Sequence, residues 1–289
     1  MHSAAHDLNI SQPALSDQIQ RLEEDLGVVL LVRNSHGVRA TDAAKALLPH
    51  LRTTLRGEEA LRQEASAING LRSGRLRLGS ISGASHGVLQ AVVRRTQHEH
   101  PSIQFGVTEG LSTNIAAGVI TGDFELGVIL RTANGQQDTR LRYVDLDSGR
   151  IVLSVPSASP LAKLRSLQGT DLDGEPMIVH QKGALLREAF DLLTSGIRVH
   201  NVYQTNSAET AQRMVTGGIG SCVASTLAPT TLSGRDVKIV PIDDSYEWVE
   251  TRMSVILRRD EQPAPAARYF LHLLREESAL RKSTPTPSA

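Results

Sequence analysis

From Arg75 onward the chain alternates short apolar runs with stretches of helical spacing, and it does so twice. The first set reads "RLRLGSI", a helix over Val88 to His98, "SIQFGVTE", a helix over Thr113 to Thr121, and "FELGVIL". The second reads "RIVLSV", "EPMIVH", a helix over Ala184 to Leu193, "VHNVYQT", a helix over Ala208 to Val215, and "IGSCVAS". A strand followed by a helix and another strand makes a crossover unit, so the pattern predicts parallel sheets and two α/β lobes. "ETRMSVILRR" reads as a strand returning to the first lobe, closed by a helix over Ala264 to Leu280. The polar tail "RKSTPTPSA" is expected to be disordered. A chain of 289 residues has room for two or three such compact units. With aromatics at only 3%, its cores must be built from Leu, Val, Ile and Ala.

The first seventy residues follow a different period. Ala14, Leu15, Ile19, Leu22 and Leu26 recur at helical spacing and mark one buried face. Ser11 supplies a polar N-cap, Pro13 suits the first turn, and Gly27 stops the helix. "SAAHDL" before it forms one short helix and "NIS" the turn, which is the layout of a helix-turn-helix. "VVLLVRN", "SHG" and "VRAT" then predict a small hairpin, or wing. Thr41 and Asp42 cap a long helix that runs to about Asn69-Gly70, with Leu48, Leu51, Leu55, Leu61, Ala65 and Ile68 on one stripe. A helix this long with a narrow apolar seam packs on a copy of itself, and Pro49 is expected to bend it.

Charge and composition remove several function classes. Lys plus Arg and Asp plus Glu are both 31, so any nucleic-acid contact must come from a local patch. The single cysteine, Cys222, excludes an intramolecular disulfide and fits a reducing compartment. "MHSAAHDLN" has no apolar core of a signal peptide, and Val28 to Val32 is too short to span a bilayer, so a cytoplasmic chain without membrane association is expected. No nucleophile triad, phosphate loop or nucleotide fingerprint is present, and the glycines of "TGGIGSC" read as a helix stop and tight turn, so no enzyme is expected. The histidines of "QHEH", His98 and His100, do not share a helix face and lack a third ligand cluster; no metal or other cofactor is expected. Cys222 lies in an apolar strand, where a buried inert thiol is the default.

The order of these pieces resembles one family. "ISQPALSDQIQRLEEDLGVVLLVRNSHGVRAT" and "AKALLPHL" are similar to the winged helix-turn-helix and linker of LysR-type transcriptional regulators. "SGRLRLGSI", "HPSIQFGVTEG", "GDFELGVIL", "SPLAK" and "MVTGGIGSCVAS" resemble that family's effector-binding half, in the same order. The resemblance implies a truncated winged helix-turn-helix over 1–41, a linker and dimerisation helix over 42–72, and a two-lobed α/β effector domain like that of periplasmic binding proteins over 73–282. Lobe I would take about 73–148 and 250–282, lobe II about 149–249, and 283–289 a disordered tail. The departures are one helix fewer before Met1 than members usually carry, Asp17 where a basic or neutral polar residue is commoner, Leu31 for a Phe, and Ala44 for a Gly.

On this reading the partners are double-stranded promoter DNA, a small-molecule effector such as a carboxylate, a second copy or three further copies of the chain, and RNA polymerase. Ser11, Gln12, Pro13, Ser16 and Gln18 stand on the first turns of a helix that fits the major groove, Arg21 one turn further, and Arg33 and Arg39 beside the wing, where they suit phosphate or the minor groove. Asp17 is either a solvated acid that weakens binding or an acceptor for a cytosine amino group. For the effector, strand ends and helix starts offer Ser80, Ser82 and Ser85 in "SISGAS", Ser112 and Thr113 in "EGLSTN", Arg131 after "VIL", and Gln181 and Lys182 in "HQKG". Each Ser or Thr at a helix start is equally readable as a plain N-cap. Two alternatives stand beside this reading: a ligand-sensing co-regulator that does not bind DNA, because the head lacks a helix, and a solute-binding transport protein, disfavoured by the missing export signal.

Overall fold

The computed structural model describes residues 2–34, 37–68, 74–85, 87–227 and 236–283. The wing turn at Ser35 and His36, the end of the linker helix at Asn69-Gly70 and the tail beyond Ser283 lie outside them, as do the side chains of Arg33 and Ser85. The chain divides into two compact units, Met1–Glu59 and Ala60–Ala289.

The first unit holds α1 (His2–Asp7), α2 (Gln12–Leu26), β1 (Leu31–Asn34), β2 (Gly37–Ala40) and the start of α3 (Asp42–Ile68), whose length spans both units. Local chemistry sets the bounds of α2. The Ser11 hydroxyl accepts from the Ala14 N–H at 3.3 Å, Pro13 sits in the first turn, and Gly27 at φ 70° turns its N–H back to the Glu23 and Glu24 carbonyls. One Glu23 carboxylate oxygen takes the Leu30 and Leu31 N–H groups at 2.6 and 2.9 Å, fastening the helix to the wing. Thr41 does the same for the linker: its hydroxyl donates to the Val29 carbonyl at 2.8 Å and accepts from the Ala44 N–H at 3.0 Å. The wing pairs antiparallel from Leu31↔Ala40 to Asn34↔Gly37. The expected apolar face of α2 is only partly covered. Leu15 is buried, whereas Leu22 and Leu26 are 36% and 43% exposed, and Leu48, Leu55 and Leu61 of α3 are exposed as well.

In the second unit follow β3 (Gly74–Ser80), α4 (Ser82–Ser85), α5 (Val88–Glu99), β4 (Ile103–Glu109), α6 (Ser112–Thr121), β5 (Leu126–Thr132) and the long β6 (Leu141–Pro156). After two 3₁₀ turns come β7 (Pro176–His180), α7 (Leu185–Leu193), β8 (His200–Thr205), α8 (Ala208–Thr216), β9 (Ser221–Ser225), β10 (Val237–Pro241), β11 (Glu250–Arg258) and α9 (Pro265–Ser283). α9 thus continues past Leu280 into the stretch expected to be disordered, with Arg281 donating to Glu277 one turn back at 3.1 Å.

The strands run in the order β4-β3-β5-β11-β6-β9-β7-β8, with β10 also on β6. The helix-linked strands are parallel, as the alternation predicts: β3 to β4 and β5, and β7 to β8 and β9. The all-parallel expectation fails at β6 and β11, which pair antiparallel with each other and with β5, β9 and β10. Neither strand is entered through a crossover helix that packs on the sheet, so nothing enforces a parallel sense.

Buried apolar residues gather on both sides of this pair. Two clusters draw on residues between Leu76 and Leu146 and between Met253 and Leu274, and two draw on residues between Ile151 and Val249. β6 is the strand that passes from one set to the other, and the chain returns after Val249, at the start of β11. In the first set Phe124 enters a slot with glycine on both sides: a Cβ at Gly118 would stand 2.5 Å from its ring and a Cβ at Gly79 2.7 Å. Substitution of Gly118 by alanine is therefore expected to cost about 2 kcal/mol of stability in urea unfolding. Phe124→Leu in the same chain should recover part of that loss.

Candidate functional site

The DNA-reading candidates sit on α2 and the wing. Pro13, Asp17 and Arg21 succeed one another at i, i+4 on the side away from buried Leu15, and all three are exposed. Gln12 and Ser16 flank that line on one side and are half-buried, while exposed Gln18 flanks it on the other. Arg39 is exposed on β2, and Arg33 pairs with Val38 across the wing. The acids of this face are unequal. Glu23 is engaged by backbone N–H groups and Glu24 accepts from Gln20 at 3.0 Å, whereas Asp17 lies in the middle of the outward line.

The second site is a cavity of about 690 Å³ within the effector unit. One wall is made by Ser82 and Gly83 of α4, Glu109 at the end of β4, and Gly110, Leu111 and Asn114 around the start of α6. The other is made by His180 at the end of β7, Gln181, Leu186 of α7, Asn206 and Ser207 before α8, one face of α8 through Glu209, Ala211 and Gln212, and β9 from Cys222 to Ser225. A smaller, more apolar annex adds Ile81, Ser112, Leu130 and Met253. The walls approach each other at Gly183, whose φ of 86° suits glycine and where a Cβ would lie 3.3 Å from Leu111.

The polar groups of the cavity are directed by their neighbours. Gln212 is only 5% exposed; its Oε1 accepts from the buried Ser154 hydroxyl at 3.1 Å, and its Nε2 has no acceptor among the described residues. A buried donor without a partner is costly, so its position on a cavity wall is informative. His180 faces the Val223 carbonyl through Nε2 at 3.0 Å, and burial holds its pKa below the ordinary value against the opposing pull of that carbonyl. The carbonyl can only accept, so the neutral ring carries its proton on Nε2 and leaves Nδ1 as an acceptor. Ser207 caps α8 by accepting from the Thr210 N–H at 3.2 Å, which sets the positive end of that helix at the cavity. The charged lining residues are Glu109 and Glu209, and Glu209 takes the Arg213 guanidinium at 2.8 and 3.2 Å. Burial pushes the Cys222 thiol up to about 12, so it is a neutral, inert part of the wall.

The residues anticipated for the effector separate into two groups. Ser82 and Gln181 line the cavity, and Ser112 lines the annex while its hydroxyl is tied to the Leu130 backbone. Ser80, Thr113, Arg131 and Lys182 are not among the described lining residues. Ser80 is fully buried and donates to the Ile81 carbonyl; Thr113 and Lys182 point to solvent. Arg131 is consumed by structure. It grips Asp145 with one nitrogen at 2.9 and 3.1 Å, donates to Ser254 and to the Thr132 and Ala133 carbonyls, and lies 5.6 Å from the Tyr143 ring centre.

Glu109, Asn114, His180, Asn206 and Gln212 were not anticipated. The signal available for Gln212 was a polar residue on the otherwise apolar stripe of Ala208, Ala211 and Val215. The "QHEH" stretch forms a surface contact instead of a metal centre: the His100 ring meets Tyr269 edge-on, and the Tyr269 hydroxyl donates to Glu99. Among the described residues no cluster of three potential metal ligands occurs, and no helix is long and apolar enough to cross a membrane.

Comparison with known proteins agrees with both halves. Residues 1–45 match the family described as bacterial regulatory helix-turn-helix protein, lysR family, and residues 69–279 match the LysR substrate binding domain. The chain is 29% identical over 281 residues to the HTH-type transcriptional regulator AlsR of Bacillus subtilis, covering 93% of this chain and 88% of AlsR. A full-length OxyR variant from Pseudomonas aeruginosa has the same fold, with a TM-score of 0.71 at 18% identity over 99% of this chain and 93% of that one. So does the effector binding domain of QuiR in complex with shikimate, with a TM-score of 0.59 at 17% identity over 74% of this chain and all (100%) of that one. A helix-turn-helix with its wing, a long linking helix and a two-walled α/β effector unit, matched by family over most of their length, make this chain a DNA-binding transcriptional regulator of the LysR family.

Proposed function

We propose that the regulator responds to a small carboxylate held in the cavity by neutral donors. The observation that carries this reading is Gln212, a residue of the cavity wall whose buried Nε2 has no acceptor among the described residues. A carboxylate oxygen is the acceptor it lacks. The N-terminus of α8 beside it contributes partial positive charge, and the Ser207 and Ser225 hydroxyls, which accept from Thr210 and Leu227, retain their protons to donate. Shikimate, the ligand of the QuiR domain, is a small carboxylate. Arg131 and Lys182 have no part in this arrangement.

A ligand spanning both walls draws together two sets of core residues that share β6 as a continuous strand, and so favours the closed form of the unit in proportion to its extra contacts there. By linkage, DNA that prefers one form changes effector affinity by the same factor. At the other end of the chain, Gln12, Pro13, Ser16 and Gln18 read base edges, with Ser11 at the helix start, while Arg21, Arg33 and Arg39 hold phosphate. The exposed leucines of α3, Leu48, Leu55 and Leu61, supply the seam for a second copy.

Two experiments test these assignments. In thermal unfolding of the full chain, shikimate and related hydroxylated carboxylates should raise the melting temperature of the native protein. Gln212→Glu, which sets a second carboxylate against the ligand, and Gln212→Leu, which removes the donor, should each abolish that rise; an unchanged rise in both variants overturns the assignment. For DNA, Arg21→Ala should weaken binding to all sequences alike and lower the salt slope by about 1, and Asp17→Asn should strengthen it. Base-selective loss in Arg21→Ala would contradict the phosphate role.

A further inference from the structure

Resting on that reading, the two walls of the cavity differ in charge, and the difference restricts the ligand further. Gln212 and the start of α8 lie on one wall and favour an anion. On the other wall stands Glu109, at the end of β4, with no hydrogen bond or ion pair to its carboxylate among the described residues. It is the lining residue whose charge is left unbalanced, because Glu209 is matched by Arg213. No lysine or arginine is among the described lining residues. His180, on the wall of Gln212, is a neutral ring whose Nε2 faces the Val223 carbonyl. A ligand with only negative charge would meet a compensating helix end at one side and a repelling carboxylate at the other. Glu109 is exposed, so the effect is screened by water, yet it acts on every ligand that fills the cavity.

We propose that the effector is a zwitterion: an amino acid whose carboxylate sits against Gln212 and the start of α8 and whose ammonium group faces Glu109. Ammonium donors match the acceptor of that side, the Glu109 carboxylate. Leu111, Leu186, Ala211 and Val223 form the apolar remainder and fit a hydrocarbon side chain. The two opposite charges of the ligand then each meet a complementary wall without a basic residue. The same arrangement discriminates against dicarboxylates, whose second charge falls beside Glu109.

The test uses matched triplets on the full-length protein: leucine, 4-methylpentanoate and 3-methylbutylamine; phenylalanine, 3-phenylpropanoate and 2-phenylethylamine; and the remaining standard amino acids as a screen. Thermal shift and calorimetric titration are expected to show at least one amino acid binding more tightly than both of its truncated analogues. Glu109→Gln should weaken that amino acid about fivefold and leave the des-amino acid unchanged or improved, the size expected of one water-screened charge pair. Des-amino acids or shikimate binding as well as or better than every amino acid would overturn the zwitterion and leave the carboxylate reading intact. Amines that bind alone, with no carboxylate bound at all, would overturn both. Equal affinity of the amino acid for native protein and Glu109→Gln would remove Glu109 from its role.

Discussion

The antiparallel pairing of β6 with β11 is the constraint on which the effector unit depends. β6 leaves the first set of core residues at Leu146 and enters the second at Ile151, and the chain returns after Val249 into β11, whose buried apolar residues from Met253 onward belong to the first set. The register slips between Met253 and Ser254, so that Asp147 and Asp145 become partners of adjacent residues and buried Leu146 is the extra one. Such a bulge sharpens local twist and needs support. Arg131 supplies it, joining Asp145, Ser254 and two carbonyls beside the slip. An arginine so fully engaged is unavailable to a ligand, and removing it would strand a carboxylate in a partly buried position. The geometry of the cavity is therefore set by groups that do not enter it.

That division of labour accounts for the lack of lysine and arginine among the described lining residues of the cavity. Cations are used at the strand pair and on helix surfaces, and the described lining offers amides, hydroxyls, a neutral imidazole and helix ends. Neutral donors hold a carboxylate by several oriented bonds instead of one strong charge, which makes the site selective for shape and for the placement of hydrogen-bonding groups. It also leaves the balance of the whole site sensitive to a single residue such as Glu109.

Much of this architecture was legible in the sequence, for reasons specific to particular residues. Ser11, Pro13 and Gly27 are capping signals that act within a few residues of themselves, so the ends of α2 follow directly. The helix-linked strands were equally plain. β6 was not, because its first half, "LRYVDLDSGR", mixes charge and glycine where a strand between two cores meets solvent and its neighbour's polar atoms. The same limit applies to the site. Sequence shows that a residue follows a strand, but not which way it faces: Gln181 lines the cavity and its neighbour Lys182 does not, and Ser82 lines it while Ser80, two residues earlier, is buried beneath. Gln212 and His180 lie inside regular elements and read as core positions until the opposite wall is in place.

The most direct measurement is the side-chain amide of Gln212, seen as a ¹H–¹⁵N pair in the full-length protein and assigned by its loss in Gln212→Leu. Titration with a carboxylate ligand that stabilises the protein should move that pair and slow its exchange with water, since a partnerless donor gains an acceptor. A stabilising ligand that shifts other cavity resonances and leaves this pair unmoved would contradict the account.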